Sequence, residues 1–374
     1  MTELRILLDC RMADWSGVGR YATGLARALA ARDDIELVQA IGRGQLPPVA
    51  SSNDEGRATA SAIVAEGHPF GPLGAFSLSK AVAAARPDVT HCTHFPTPLP
   101  ASHPLAVTIH DLTPAVMPEV MPSTLRRAVW WYWNRRAASV ADIILANSHH
   151  TASDLERLLP AAVGKTRVVA HALDDALVRG PVAELPEAVA ASVADGSRYI
   201  LSMGNTKPNK DLPTLLRAFA RLAPEDPGLH LWLVGRDEPG FAASILREDP
   251  ACERVAFTGR VDDGRLRALY ADAAAFAFPS RYEGFGLPPL EAMAFRTPVV
   301  CARAASLPEV VGDAAVLFEP GDPAALADAL RRVLRDEVLR RDLAERGERR
   351  AAEFTWAQTV SATVDAYREV ARRD

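Results

Sequence analysis

Apolar runs of strand length alternate with amphipathic runs of helix length along nearly the whole chain, and this alternation limits the fold more than any other feature. Leu4–Leu8, Glu36–Ile41, Val89–Cys92, Ala106–Ile109 and Ile143–Ala146 read as strands, with helices at Tyr21–Ala31, Ser77–Ala85 and Ser123–Ala141. The stretch Arg43–Gly74, rich in Pro, Gly, Ser and Ala, reads as a mobile loop. The pattern lapses over the Pro- and Ala-rich Asp174–Ser197. It then restarts with strands at Tyr199–Met203, His230–Val234, Val255–Thr258, Ala273–Phe278 and Pro298–Cys301, again with helices between them. Such alternation demands crossover connections, and so a parallel sheet covered by helices on both faces. Two series in 374 residues predict an α/β chain of two doubly wound, Rossmann-like domains facing across a cleft, residues 1–180 and 181–355. Ligands of such sheets sit at the carboxyl ends of the strands.

Composition narrows the partners. With 48% hydrophobic and 24% charged residues the chain has material for a large core, and a net charge of -5 gives no reason to expect nucleic acid. The four cysteines, Cys10, Cys92, Cys252 and Cys301, are scattered without a Cys-x-x-Cys, as in a reduced, cytoplasmic protein. No signal peptide is expected ahead of the first strand, and no run of about 18 apolar residues could span a bilayer.

The stretch Pro279–Ala294 carries the most chemistry. A buried strand leads into Glu283-Gly284-Phe285-Gly286-Leu287, and Pro288-Pro289 suits the first turn of a helix. Strand, glycine turn and helix start present N–H groups and a positive helix end to a phosphate. Glu283 and Glu291 can accept hydrogen bonds from hydroxyls, so the stretch matches a ligand with a phosphate between two polyols, which is a sugar nucleotide. In the same half, Gly204-Asn205-Thr206-Lys207-Pro208-Asn209-Lys210 follows a strand, with both lysines placed to meet a diphosphate.

Other features are less specific. Gly17-Val-Gly19-Arg20-Tyr-Ala22 resembles a dinucleotide fingerprint, but Gly17 lies well past the strand end and no acidic residue closes the second strand. An anion or sugar contact fits better than NAD. His110-Asp111 ends a strand and is a site candidate. His91 and His94 match no common zinc spacing, and no metal site is expected. Ser148 is placed to cap a helix starting at His149-His150. In the helix around Trp130–Trp133, the spacing of Leu125, Val129, Tyr132 and Val140 predicts the buried stripe. That leaves Trp131 outside with Arg127, Asn134 and Arg135, open to contact with a membrane surface or lipid-linked acceptor. No Asp-x-Asp occurs, so a metal-independent reaction without other cofactors is expected.

Taken together, the Glu283-x7-Glu291 stretch, Gly17-Val-Gly19-Arg20-Tyr, Thr108-Ile-His110-Asp111-Leu, Ala146-Asn147-Ser148, Gly204–Lys210, Phe257-Thr-Gly259-Arg260-Val261 and Ala305-Ser306-Leu-Pro308-Glu309 closely resemble the retaining glycosyltransferases of family 4. The resemblance covers nearly the whole chain and implies the GT-B fold, with a final helix, 356–374, crossing back onto the first domain. It implies that Glu291 holds the donor ribose and that Glu283 meets the transferred sugar. Gly284, Phe285, Gly286 and Leu287 would contact sugar or diphosphate through their backbone, and Lys210 would neutralise the leaving diphosphate. His110 would act beside the reacting carbon, Gly17 and Gly19 would approach donor phosphates or acceptor, and the loop at Arg260 and Val261 would line the base pocket. Two departures stand out. Asn205 and Asn209 occupy positions where relatives carry an arginine, so Lys207 is assigned to stand in. Phe295-Arg296-Thr297-Pro298 replaces a Cys-Gly-Thr-Pro, where arginine is expected to change the turn. Within this class a mannosyltransferase of polysaccharide assembly using GDP-mannose is the first expectation and a UDP-sugar the second. A sugar-nucleotide epimerase or a non-catalytic sugar-nucleotide-binding protein remains as the alternative.

Overall fold

The computed structural model describes residues 3–372 apart from 16, 51–59, 103, 195, 237–239 and 248. The chain divides into two compact units, one of Met1–Pro114, Met121–Ala172 and Thr355–Asp374, the other of Ala115–Val120 and Leu173–Phe354.

The first unit is built on a parallel sheet of β1 (Leu4–Asp9), β2 (Ile35–Ile41), β3 (Ser61–Val64), β4 (Val89–Cys92), β5 (Leu105–Ile109), β6 (Ile143–Ala146) and β7 (Thr166–Val168). Their order is β3-β2-β1-β4-β5-β6-β7, so the direction of winding reverses between β1 and β4. The central strands are buried on both faces, so they read as largely apolar runs, and the polar residues they carry, Thr90, His91 and Thr108, are buried with them. The stretch expected as a loop, Arg43–Gly74, instead holds β3 and the start of the helix Pro72–Ala85; residues 51–59 lie outside the described ones. β3 is a short edge strand, largely exposed, and so lacks the apolar pattern that would betray it. The helix Trp356–Ala371 packs on this unit. Its Trp356 ring covers Gly24 so closely that a Cβ there would lie 1.9 Å from it, and its Tyr367 is fully buried.

The helix Thr124–Val140 turns the other way from the expected one. Trp130, Trp133, Asn134, Ala137 and Ala138 form the buried stripe, whereas Leu125, Val129 and Tyr132 are exposed and Trp131 is half-buried. Both sets have helical periodicity. The two tryptophans bury more apolar area than Leu125 and Val129 could, and Trp133 Nε1–H finds the carbonyl of Phe70 at 3.0 Å.

The second unit repeats the architecture with β8 (Arg198–Met203), β9 (Leu229–Val234), β10 (Val255–Gly259), β11 (Ala275–Phe278), β12 (Val299–Ala302) and β13 (Ala315–Phe318). All pair in parallel in the order β10-β9-β8-β11-β12-β13, reversing between β8 and β11. Its core includes the fully buried Tyr199, Phe219, Tyr270, Phe276 and Phe278; truncating one such ring to Ala costs about 3–5 kcal/mol. The connection Asp174–Ser197 is not featureless: it contains the helices Asp175–Arg179 and Glu187–Val193. The Arg267 guanidinium donates to the carbonyls of Leu177, Ala176 and Pro181, which binds the first of these helices to the second unit and moves the division from 180 to Leu173.

Candidate functional site

Crevices in doubly wound sheets open where the winding reverses, outside the carboxyl ends of the two strands concerned. In the second unit those strands are β8 and β11. The loop after β8 carries Gly204–Lys210, and the loop after β11 carries Pro279–Gly286, so the two segments richest in candidate residues are neighbours for topological reasons. They are bonded to each other. Lys210 Nζ reaches Glu283 Oε1 at 2.6 Å, Arg281 N–H donates to Asn209 O at 2.7 Å, and Asn209 Nδ2–H donates to Tyr282 O at 3.2 Å. Lys210 also lies over the face of Phe278, 5.4 Å from its centroid. Around this pair the buried Oδ1 of Asn209 and Oγ of Ser280 make no hydrogen bond among the described residues, leaving polar atoms for a hydroxylated ligand. Lys207 is exposed, and its backbone N–H is taken by Asn205 Oδ1 at 3.2 Å.

Gly286 caps the helix Leu287–Ala294 with φ 108°, a conformation open to glycine, and a Cβ there would meet Leu307 at 2.6 Å. No side chain caps this helix end. Pro288 and Pro289 have no N–H, so the first turn of this helix offers an anion no backbone donor at those two positions. The turn is held by Ser306, after β12, whose hydroxyl lies 2.9 Å from Glu283 O and 2.7 Å from Phe285 O. Glu291, on the helix, is buried and accepts from Tyr270 Oη at 2.8 Å, which fixes one carboxylate oxygen. Arg260 is exposed and Val261 half-buried just after β10, following Gly259 at φ 71°.

At the other end of this helix the expectation of an altered turn fails. Arg296 adopts φ 60° itself, with Arg296 N–H on Met293 O at 2.9 Å and Thr297 N–H on Ala292 O at 3.0 Å. This is the bond pattern of a Schellman cap with arginine in the place glycine usually fills. A contact between Arg296 Nη1 and Glu348 Oε2 at 2.5 Å holds the side chain.

The remaining candidates belong to the first unit, at the carboxyl ends of β1, β4, β5 and β7. Gly17 precedes the helix Val18–Ala30 at φ 71°, and Gly19 packs so tightly that a Cβ would lie 2.2 Å from Ala13 O. His110, after β5, is buried with both ring nitrogens engaged. Its Nε2–H donates to Thr93 O at 2.8 Å, so Nδ1 is the acceptor and faces His171 Nε2 at 3.3 Å. Tyr21 stacks on His171 and meets His110 edge-on. Burial lowers the pKa of His110, and Thr93 O and Asp111 oppose it only in part; His94 and His171 are pushed well down by burial and by His110. The cluster is therefore neutral, and His110 can offer Nδ1 to a hydroxyl only by releasing His171. Asn147 Nδ2–H holds the His110 carbonyl at 2.9 Å. His91 is a packing residue, bonded to Tyr367 Oη at 2.6 Å and to Thr108 Oγ1 at 2.8 Å. Ser148 caps the helix His149–Leu158 by accepting from Thr151 N–H.

Sequence reasoning gave no role to Ser306, Tyr270, Asn147 or His171. Tyr270 and His171 carry no local signal, since each meets its partner only through the fold. Among the described residues no cluster of potential metal ligands is present, and no helix is long and apolar enough to cross a membrane. A groove of about 670 Å³ lies away from the strand ends, on the outer face of the helix Thr124–Val140 beside Trp131, Tyr132 and Arg135.

Comparison with known proteins accounts for both units. Residues 15–177 match the family described as Glycosyltransferase Family 4, and residues 187–350 the one described as Glycosyl transferases group 1. The O-antigen chain mannosyltransferase B of Escherichia coli is 31% identical over 94% of this chain and 96% of its own length. The structure resembles sucrose-phosphate synthase from Thermosynechococcus elongatus, with a TM-score of 0.76 at 21% identity and full coverage of both chains. It also resembles Anabaena HepE, solved with UDP and glucose, with a TM-score of 0.72 at 18% identity over 98% of this chain and all of that one. These neighbours have the GT-B fold, as does this chain.

Proposed function

Since the chain belongs to glycosyltransferase family 4, we propose that it is a retaining hexosyltransferase moving a sugar from a nucleoside diphosphate donor to an acceptor hydroxyl in glycan or polysaccharide assembly. The observation that carries this reading is the Lys210–Glu283 pair at the winding reversal of the second unit, next to the glycine turn and Glu291. A lysine there meets the charge that grows on the departing diphosphate, an interaction stronger in the transition state than in the ground state. Glu283 accepts from hydroxyls of the transferred sugar. Glu291, oriented by Tyr270, accepts from the ribose hydroxyls, and the loop at Arg260 and Val261 takes the base. Lys207 and Asn205 complete the phosphate side in place of an arginine.

In this reading Lys210 and the turn N–H groups supply the positive charge, so a divalent ion is not required. No carboxylate is assigned as a nucleophile. The acceptor attacks on the face the diphosphate leaves, and the departing phosphate takes the acceptor's proton. His110 serves turnover rather than nucleotide binding. GDP-mannose is the first donor to test, supported by the name of the Escherichia coli relative, and UDP-sugars follow.

The outer face of the helix Thr124–Val140 suits a further role, resting on an anionic bilayer at the cytoplasmic side. It exposes Leu125, Val129 and Tyr132 together with Arg126 and Arg135, on a helix that has four arginines and no acid in a chain of net charge -5.

The test is a thermal-shift panel of GDP, UDP, ADP, dTDP and NAD in EDTA, followed by product analysis with the matching nucleotide sugar. A nucleotide at about 100 times its Kd adds about 2.7 kcal/mol, roughly 2–4 °C per kcal/mol for a domain of this size. A shift with NAD alone overturns the reading. Conversion of the donor without acceptor into an isomeric nucleotide sugar would mark an epimerase, and binding without turnover a sensor.

A further inference from the structure

Trp15 has no part in the chemistry assigned above, yet it is placed by the loop after β1, beside the winding reversal of the first unit, and 43% of it is exposed. Its ring stacks on Phe70 at 5.8 Å between centroids and 29° between planes. Phe70 follows β3 and meets His94 edge-on at 6.0 Å; His94 follows β4 and lies 5.5 Å from His110. Rings from four strand ends thus form one series, from a solvent-exposed indole to the buried His110. Near its inner end the buried Nδ1 of His94 makes no hydrogen bond among the described residues.

Phe70 and the end of β1 are held by hydrogen bonds. Trp133 Nε1–H donates to Phe70 O, and Phe70 N–H donates to His68 Nδ1 at 3.3 Å, which in a neutral ring leaves the proton on the exposed Nε2. Arg11, bidentate to Asp9 at 2.8 and 2.7 Å, also reaches Gly74 O at 2.8 Å, joining the end of β1 to the helix Pro72–Ala85. A core would have buried Trp15. An exposed indole clamped against a second ring instead offers a flat apolar face with polar nitrogens at its margin, which matches the C–H face and rim hydroxyls of a pyranose ring. The cation in this network, Arg11, is consumed by Asp9, so the surface favours a neutral ligand over a phosphorylated one.

We infer that Trp15 and Phe70 form a saccharide subsite of the first unit, and that the acceptor is a neutral pyranoside whose ring stacks on Trp15. This rests on the glycosyltransferase reading and names its acceptor class.

The test separates the two. The full chain and its Trp15→Ala and Trp15→Phe variants are applied to an array of neutral mannosides, glucosides and N-acetylglucosaminides, with myo-inositol 1-phosphate as the charged, non-pyranoside probe in solution. Each protein is also titrated with the nucleotide found in the thermal-shift panel. Wild type binds at least one pyranoside. Trp15→Ala weakens that binding, or raises KM for that acceptor, by about three- to tenfold, Trp15→Phe restores most of it, and nucleotide affinity stays constant. Equal pyranoside binding by wild type and Trp15→Ala, binding of the inositol phosphate alone, or no pyranoside bound at all overturns the subsite. Loss of nucleotide binding by the wild type itself overturns the donor reading instead.

Discussion

Replacing Glu283 with glutamine should tighten the binding of a nucleoside diphosphate while impairing that of the nucleotide sugar. In the ligand-free chain Lys210 is committed to Glu283 at 2.6 Å, with the two side chains 20% and 16% exposed. At an effective dielectric near 20 the gross attraction at this distance is about 6 kcal/mol, most of it offset by desolvation and side-chain ordering, leaving on the order of 1 kcal/mol. A diphosphate arriving at Lys210 must share that cation with Glu283 and approach a like charge. Removing the carboxylate's charge therefore releases about 1 kcal/mol, or about fivefold in Kd for GDP or UDP. The nucleotide sugar also loses charge-assisted hydrogen bonds from its hydroxyls to Glu283, about 1.5–3 kcal/mol, so its affinity falls or at best stays level. Lys210→Ala should weaken both ligands by about tenfold or more. Isothermal titration of both ligands on wild type, the single variants and the double variant measures the split and the coupling. Weaker diphosphate binding by Glu283→Gln, or equal changes for the two ligands, refutes the assigned roles.

Three further outcomes follow from particular contacts. Arg296 holds a left-handed conformation costing a side chain about 1 kcal/mol, against an exposed ion pair worth a few tenths, so Arg296→Gly should raise Tm by about 2 °C while Arg296→Ala lowers it; equal shifts would show the cap is not strained. His91 is held neutral by burial with its pKa lowered to about 3, so below about pH 6.5 the unfolded chain takes up a proton that the folded chain refuses. Its stabilising share, complete above that pH, falls by about 1.4 kcal/mol per pH unit as acid is added, and His94, His110 and His171 act in the same sense; a urea midpoint unchanged from pH 7 to 5.5 would refute this. Vesicles of phosphatidylglycerol should sediment the protein where phosphatidylcholine vesicles do not. Arg126→Gln with Arg135→Gln should reduce that partitioning by about thirtyfold, and sedimentation with neither lipid, or equally with both, would remove the anionic bilayer as the partner of that helix face.

How much of this was legible in the sequence depended on whether a feature is local. β8, β11 and the glycine turn between Phe278 and Leu287 could be read because a buried parallel strand, a φ > 0 turn and a helix start each leave a pattern within a few residues. β3 could not, being a four-residue edge strand with little to bury. The helix Thr124–Val140 exposes the limit of periodicity. Leu125, Val129 and Tyr132 repeat as faithfully as Trp130, Trp133 and Ala137, so spacing alone gives two apolar stripes and no means of ranking them. The choice is made outside the helix, where the Phe70 carbonyl accepts the Trp133 N–H and gives the tryptophan stripe a polar anchor inside the unit. The same dependence governs the site. Glu291 was visible as a carboxylate in the helix after the glycine turn, but its orientation comes from Tyr270, which reaches it across the fold. His110 was visible as a polar residue ending β5, yet the structure binds both its nitrogens, to Thr93 and His171, so its availability to a ligand is a property of His171. A substitution at His171 that spares the fold, such as His171→Phe, should therefore change the pH profile of turnover and leave nucleotide binding untouched. If turnover and its pH profile are indifferent to that change, the ring of His110 takes no part in the reaction.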